Sequence, residues 1–204
     1  MARFVGRENV RKRLEPLAGQ AGRTTYGGGA ARIETAAETI TVRPPFGLAH
    51  EGVYDRVELG PLLEELACDH VVAALLVRLG GYAVGVFEGE RLVASKVGTR
   101  FVKGRHKKGG SSQSRFQRRR EEQERALIED AVETAARVLV PYRDRIEHVA
   151  VGGDRAAVKR VLARLPWLEE KALPRFFAVP DPRLRDLEGL PYELYAAEVE
   201  EEPA

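Results

Sequence analysis

Three apolar runs in quick succession constrain this chain more than any other feature. "HVVAALLVRL" and "YAVGVFEGERLVASKVGTRFV" are interrupted only at Gly80–Gly81 and around Gly89. Turns this short join antiparallel neighbours, so the stretch predicts a three-stranded meander, with its third strand near Leu92–Val97. A long helix is predicted from about Ser114 to Val140, where Pro141 stops it. Leu127, Ile128, Ala131, Val132, Ala135 and Leu139 form its apolar stripe. "EHVAVGGD" then reads as a buried strand, and Asp154 as the N-cap of the helix "RAAVKRVLARL", closed by Pro166 and Trp167. "RFFAVP" reads as the last strand and "DPRLRDLEGL" as a short helix. The order βββ-α-β-α-β-α is that of an α/β fold, a mixed sheet with helices on its faces.

The first third is more broken. Residues 7–18 predict a short amphipathic helix with Val10, Leu14 and Leu17 on one side, and "TTYGGGAARIETAAETITVRPPFG" a strand pair. Gly27–Gly29 could cradle a phosphate only if a helix followed, and none is evident, so the triplet reads as a loop. "VELGPLLEELACD" predicts a helix with Pro61 in its first turn. The tail "AEVEEEPA" is acidic and expected to fray. These signals divide the chain into an N-terminal helix and β-hairpin segment, 1–66, and a larger domain, 67–204.

Composition removes several classes of function. With 44% apolar residues among 204, the chain can bury a core. No run of eighteen apolar residues is present, so no membrane-spanning segment or membrane partner is expected. "MARFVGRENVRKRLEPL" is too charged for a secretory signal. Cys68 stands alone, which excludes a disulfide framework and a thiolate zinc site and suggests a reducing cytoplasm. His50, His70, His106 and His148 show no ligand spacing, so neither a metal nor another cofactor is expected.

Charge is where the chain is unusual. Its net charge is only +2, yet nine of its 33 basic residues and none of its acidic ones fall between Arg100 and Arg120. The remainder carries 24 basic against 31 acidic residues. Such concentration points to a local anionic partner, most simply nucleic-acid phosphate. Inside this cluster lies "RHKKGGSSQSRFQRRR", Arg105–Arg120. From Arg105 to Gln113 nothing can be buried, and fully extended the segment reaches about 30 Å. Gly109 and Gly110 permit unusual backbone angles and close approach. Ser114 and Gln117 fit a capping box, Glu121 and Arg125 an i,i+4 pair, and the first helical turns are expected to project beyond the domain body. The result is a flexible glutamine loop over 103–114, expected to be mobile off its target.

The chemistry available there is restricted. The loop is not a P-loop, because no lysine follows its serines, and no G-x-S-x-G elbow occurs. His106, among cations that disfavour its protonation, could serve as a base or simply contact phosphate. Gln113 is neither acid nor nucleophile. It can orient a water or donate to an oxyanion, roles that require an already activated substrate such as an ester. Peptidyl-tRNA is such an ester, surrounded by phosphate. A flexible RNA-binding loop in which Gln113 is a bystander remains the other reading of these residues.

"KKGGSSQSRFQRRREEQERALIEDAVETAARVL" resembles the glutamine loop and following helix of eukaryotic and archaeal class-one translation release factors. It is most similar to the Vms-like release factors and their actinobacterial peptidyl-tRNA hydrolase branch. The resemblance runs from about Cys68 to Tyr195 and takes in "VAVGGDRAAVKRVL" and "RFFAVPD". It implies an RNase-H-like release-factor catalytic domain. It places the essential glutamine on Gln113 and the glycines on Gly109 and Gly110. Ser111 and Ser112 separate the glycines from the glutamine, unlike the compact Gly-Gly-Gln tip, and no codon-reading domain is evident. The implied activity is release of nascent chains from stalled ribosomes or large subunits holding peptidyl-tRNA. The implied partners are the ribosomal large subunit, rRNA and peptidyl-tRNA, contacted by a chain expected to be monomeric. Phosphate contacts are expected from Lys103, Arg105, Lys107, Lys108, Arg115, Arg118, Arg119 and Arg120. Cleavage of the tRNA 3′ end and non-catalytic RNA binding are the alternatives.

Overall fold

A computed structural model describes residues 2–100 and 113–204, without the side chains of Gln113, Ser114 and Phe116. The chain forms two units: residues 1–69 together with 190–204, and residues 70–189.

The first unit is an antiparallel six-stranded sheet in the order β1-β11-β4-β3-β2-β5. Its strands are β1 (Arg3–Gly6), β2 (Arg23–Gly27), β3 (Ala30–Glu34), β4 (Glu38–Arg43), β5 (Gly52–Tyr54) and β11 (Ala196–Pro203), and its helices are α1 (Arg7–Leu14) and α2 (Gly60–Ala67). Alternation along the strands sends Ala31, Ile33, Ile40, Val42, Ala197 and Val199 into one core with Val10, Leu14, Leu62 and Leu66 of the helices. Gly28 and Gly29 form the turn between β2 and β3, both at positive φ (58° and 75°), the conformation a two-residue hairpin requires. The glycine triplet is therefore a hairpin turn, as its lack of a following helix implied.

The acidic tail does not fray. It is β11, paired with β1 on one side and β4 on the other, with Val199 opposite both Arg3 and Val42. Two things hold it there. Ala197 and Val199 point into the core, and the intervening carboxylates meet arginines: Glu201 lies 2.8 Å from Arg3 and 3.5 Å from Arg13, and Glu198 3.8 Å from Arg43. The expected strand pair in residues 24–47 is likewise part of a three-strand run, because "ETITVR" pairs on both edges.

The second unit contains β6 (Val71–Arg78), β7 (Gly81–Glu88), β8 (Arg91–Thr99), β9 (His148–Gly153) and β10 (Ala172–Phe177) in the order β10-β9-β6-β7-β8. The first three are the predicted antiparallel meander, while β9 and β10 run parallel to β6. This is the strand order of an RNase-H-like sheet. β6 is almost continuously buried, because helices cover both faces. On one face lie α3 (Gln113–Leu139) and α4 (Arg155–Leu162), packed on Leu75, Val77, Tyr82, Val84 and Val86. On the other, Leu187 of α6 (Leu184–Leu194) approaches the space above Gly85. Asp154 caps α4 as predicted, its Oδ1 accepting from Ala157 N at 2.8 Å. Pro166 and Trp167 do not close α4, which ends at Leu162. They start a separate turn, α5 (Pro166–Glu169), since proline suits a first helical position. No helix among the described residues is long and apolar enough to cross a membrane.

Candidate functional site

The glutamine loop is carried on two struts of the second unit, the end of β8 and the start of α3. Their roots are tied together at three points. Arg100 N donates to Gly80 O at 3.0 Å, holding the exit of β8 to the β6–β7 turn. The Arg100 guanidinium forks onto Asp130 of α3, Nε to Oδ2 at 2.7 Å and Nη2 to Oδ1 at 3.4 Å. The Tyr82 hydroxyl lies 3.0 Å from Thr134 Oγ1 in a buried contact between β7 and α3. The Tyr82 ring fills the space over Gly98, where a Cβ would sit 2.3 Å from Cζ. Glycine at 98 is thus what lets the ring lie flat on β8. Arg100, the first residue of the basic cluster, has its charge engaged by Asp130 rather than offered outward.

Along α3 the environment changes. Leu127 is its first fully buried residue among the described side chains, followed by Ile128, Ala131, Ala135 and Leu139. Between Gln113 and Leu127 the helix runs about 20 Å at the helical rise, and no described side chain of that stretch is fully buried. Arg115, Arg118 and Arg119 are exposed there. Arg120 is half-buried and paired with Glu124 at 2.8 Å, and Glu124 also lies 3.9 Å from Arg160 of α4. A second strut joins Glu129 to Arg164, two residues past the end of α4, at 2.7 Å.

Two local expectations are corrected. Gln113 and Ser114 are both helical, so Ser114 lies within α3 rather than at its cap. Gln117 Nε2 donates forward to Glu121 at 3.0 Å instead of reaching back in a capping box. Helix starts leave backbone N–H groups without intrahelical acceptors, and no acidic residue stands in this first turn. Gln113 therefore offers its backbone at the positive end of the helix, beside exposed arginines. Lys103, Arg105, His106, Lys107, Lys108, Gly109 and Gly110 lie outside the described residues, as does the Gln113 side chain.

At the opposite end of the same sheet the fold assembles a group that the sequence reading treated as scattered. His70 precedes β6, and β9 starts at His148 in register with Val72. His70 Nδ1 lies 2.9 Å from Glu147 Oε2, while Glu147 Oε1 accepts the Val71 amide at 2.9 Å. The His70 and His148 rings meet edge to face, 5.1 Å between centroids. Burial, then the neighbouring His70, push the His148 pKa down. Burial pushes the Glu147 carboxyl up, but the Val71 amide and the His70 ring outweigh it and hold the group below the usual range. No sequence spacing signals this cluster, because it depends on which strand pairs with β6.

A sequence model of the actinobacteria/chloroflexi VLRF1 release factor family, acVLRF1, matches residues 70–200. Peptide chain release factor subunit 1 of Archaeoglobus fulgidus is 28% identical over 136 residues, 67% of this chain and 33% of that protein. The chain thus matches about a third of that relative's length. Among solved structures, the archaeal translation termination factor aRF1 aligns with a TM-score of 0.47 at 18% identity, over 92% of this chain and 54% of that one. The Vms1 mitochondrial localization core aligns with a TM-score of 0.48 at 12% identity, over 94% and 80%.

Proposed function

Because the chain belongs to the actinobacteria/chloroflexi VLRF1 release factor family, we propose that it is a ribosome-associated peptidyl-tRNA hydrolase that frees nascent chains from stalled ribosomes or large subunits. The observation that carries this reading is the position of Gln113. It is the first described residue of α3, about 20 Å from Leu127, the first buried residue among the described side chains, and beside exposed Arg115, Arg118 and Arg119. A group so placed can enter a narrow RNA-lined site while the body stays outside.

In the proposed reaction, Gln113 orients a water at the ester carbonyl, its side-chain oxygen accepting from the water. An N–H of the residue, side chain or backbone, faces the developing oxyanion. The water oxygen bonds to the carbonyl carbon and the bond to the terminal ribose oxygen breaks. One water proton passes to that oxygen, leaving a peptide acid and a tRNA with its terminus intact. Gly109 and Gly110 let the chain pass close to RNA. Lys103, Arg105, Lys107, Lys108, Arg115, Arg118 and Arg119 hold phosphates, with Arg120 a weaker contributor because Glu124 shares its charge. The reaction takes place in the cytoplasm, where its substrate is made.

The test is peptide release from purified large subunits carrying peptidyl-tRNA. Gln113→Ala is expected to lower the release rate by about 10²–10³, typical for loss of one positioning group, with subunit binding retained. Release by the variant at the wild-type rate overturns the role of Gln113. A released tRNA shortened at its 3′ end identifies nuclease action instead of ester hydrolysis.

A further inference from the structure

We propose that His70, Glu147 and His148 form a zinc site at the end of the second unit's sheet remote from the glutamine loop. Each residue offers one ligand atom, and these atoms all lie within 4.8 Å of one another. The set of two imidazoles and one carboxylate is a zinc donor set that leaves a fourth position for water. Tetrahedral coordination at zinc–nitrogen and zinc–oxygen distances of about 2.0–2.2 Å places ligand atoms roughly 3.4 Å apart. Closing from 4.8 Å therefore needs only small side-chain rotations. The backbone beneath is already fixed. Glu147 N donates to Val71 O at 2.9 Å, and β6 and β9 are paired in parallel from Val72–His148 onward. The three residues thus sit at the starts of two adjoining, paired strands, His148 as the first residue of β9 and His70 and Glu147 each one residue ahead of a strand, the kind of support a metal site needs.

Glu147 gives Oε2 to the ion while its Oε1 keeps the Val71 amide, 2.9 Å away, which fixes the carboxylate's orientation. Lys171, whose Nζ donates to Ile146 O at 2.5 Å, adds positive charge beside the cluster, which the Glu147 carboxylate offsets. The likeness of such a set to hydrolytic zinc centres does not extend to the ester reaction. β6 separates the cluster from Gly80 and Arg100 by its full length, about 25 Å at the strand rise. The ion would clip the start of β6 to the start of β9.

The experiment uses the full, tag-free chain. Zinc stoichiometry and affinity are measured by equilibrium dialysis, and cobalt(II) absorption reports the geometry. One zinc per chain, tetrahedral cobalt bands and a melting temperature that rises with zinc are expected. His70→Ala and His148→Gln should each weaken binding at least 100-fold, and Glu147→Gln about 10–100-fold. His50→Ala, in the first unit, and Cys68→Ser, which removes the exposed thiol, should leave binding unchanged. The cobalt spectrum of the wild type needs no variant to fold. Absence of stoichiometric zinc, octahedral cobalt only, or binding that survives loss of both histidines or disappears with Cys68 overturns the proposal.

Discussion

The two halves of α3 obey different rules. Below Leu127 the helix is part of a core: Leu127, Ala131, Ala135 and Leu139 are fully buried, Tyr82 reaches Thr134, and Arg100 holds Asp130. Above it, the described side chains are held mainly by partners on the helix itself, Gln117 with Glu121 and Arg120 with Glu124. Pairs of that kind contribute only a few tenths of a kcal/mol each, about 0.2–0.5. The lower half therefore fixes where the helix points, while the upper half is free to be chosen for what it touches. Stability and function should separate along one helix.

Substitutions can break that separation if it is wrong. The largest loss is expected at the root. Leu127→Ala should cost about 2–5 kcal/mol in chemical denaturation, and a loss under 1 kcal/mol would mean the stripe is not a core. Next is Gly98→Ala, which sets a methyl against the Tyr82 ring. Overpacking of this kind costs about 1–3 kcal/mol, and the strut it disturbs carries the loop, so release should fall as well. Tyr82→Leu on the same background should restore part of the stability. At the tip, Arg118→Ala with Arg119→Ala should leave the denaturation midpoint unchanged. The same pair should weaken large-subunit binding and reduce its salt dependence by roughly one to two phosphate contacts. Equal binding at every salt concentration would remove these arginines from the interface. Among the variants expected to lose stability, Arg100→Ala should lose the least. The Arg100–Asp130 pair is partly exposed, so about 0–1 kcal/mol is at stake. Its release rate should nevertheless drop more than its stability does, because the pair sets the direction of β8.

What could be read from the sequence was what neighbouring residues decide. The meander follows from runs broken by Gly80–Gly81 and Gly89, the cap of α4 from Asp154, and the stripe of α3 from spacing within one helix. What could not be read depends on partners far along the chain. β11 looks like a disordered acidic tail because its stabilising arginines are Arg3, Arg13 and Arg43. The pairing of His70 with His148 exists only once β9 has joined β6. The capping box failed for a subtler reason. Ser114 and Gln117 have the right spacing, but Gln113 before them is already helical, and Glu121 offers the Gln117 amide a partner along the helix. At the candidate site, spacing and charge singled out Gln113 and its arginines. That Arg100 and Arg120 spend their charge on Asp130 and Glu124 required the fold.

The place of β11 has a consequence for biosynthesis. β1 leaves the ribosome early, but its strand partner spans residues 196–203, so the first unit's sheet stays divided until almost two hundred residues have been made. Residues 70–189 leave the ribosome ahead of β11 and can fold while residues 1–54 wait for it. A chain halted just before β11 emerged would hold a folded second unit alongside a first unit whose sheet is still missing a central strand.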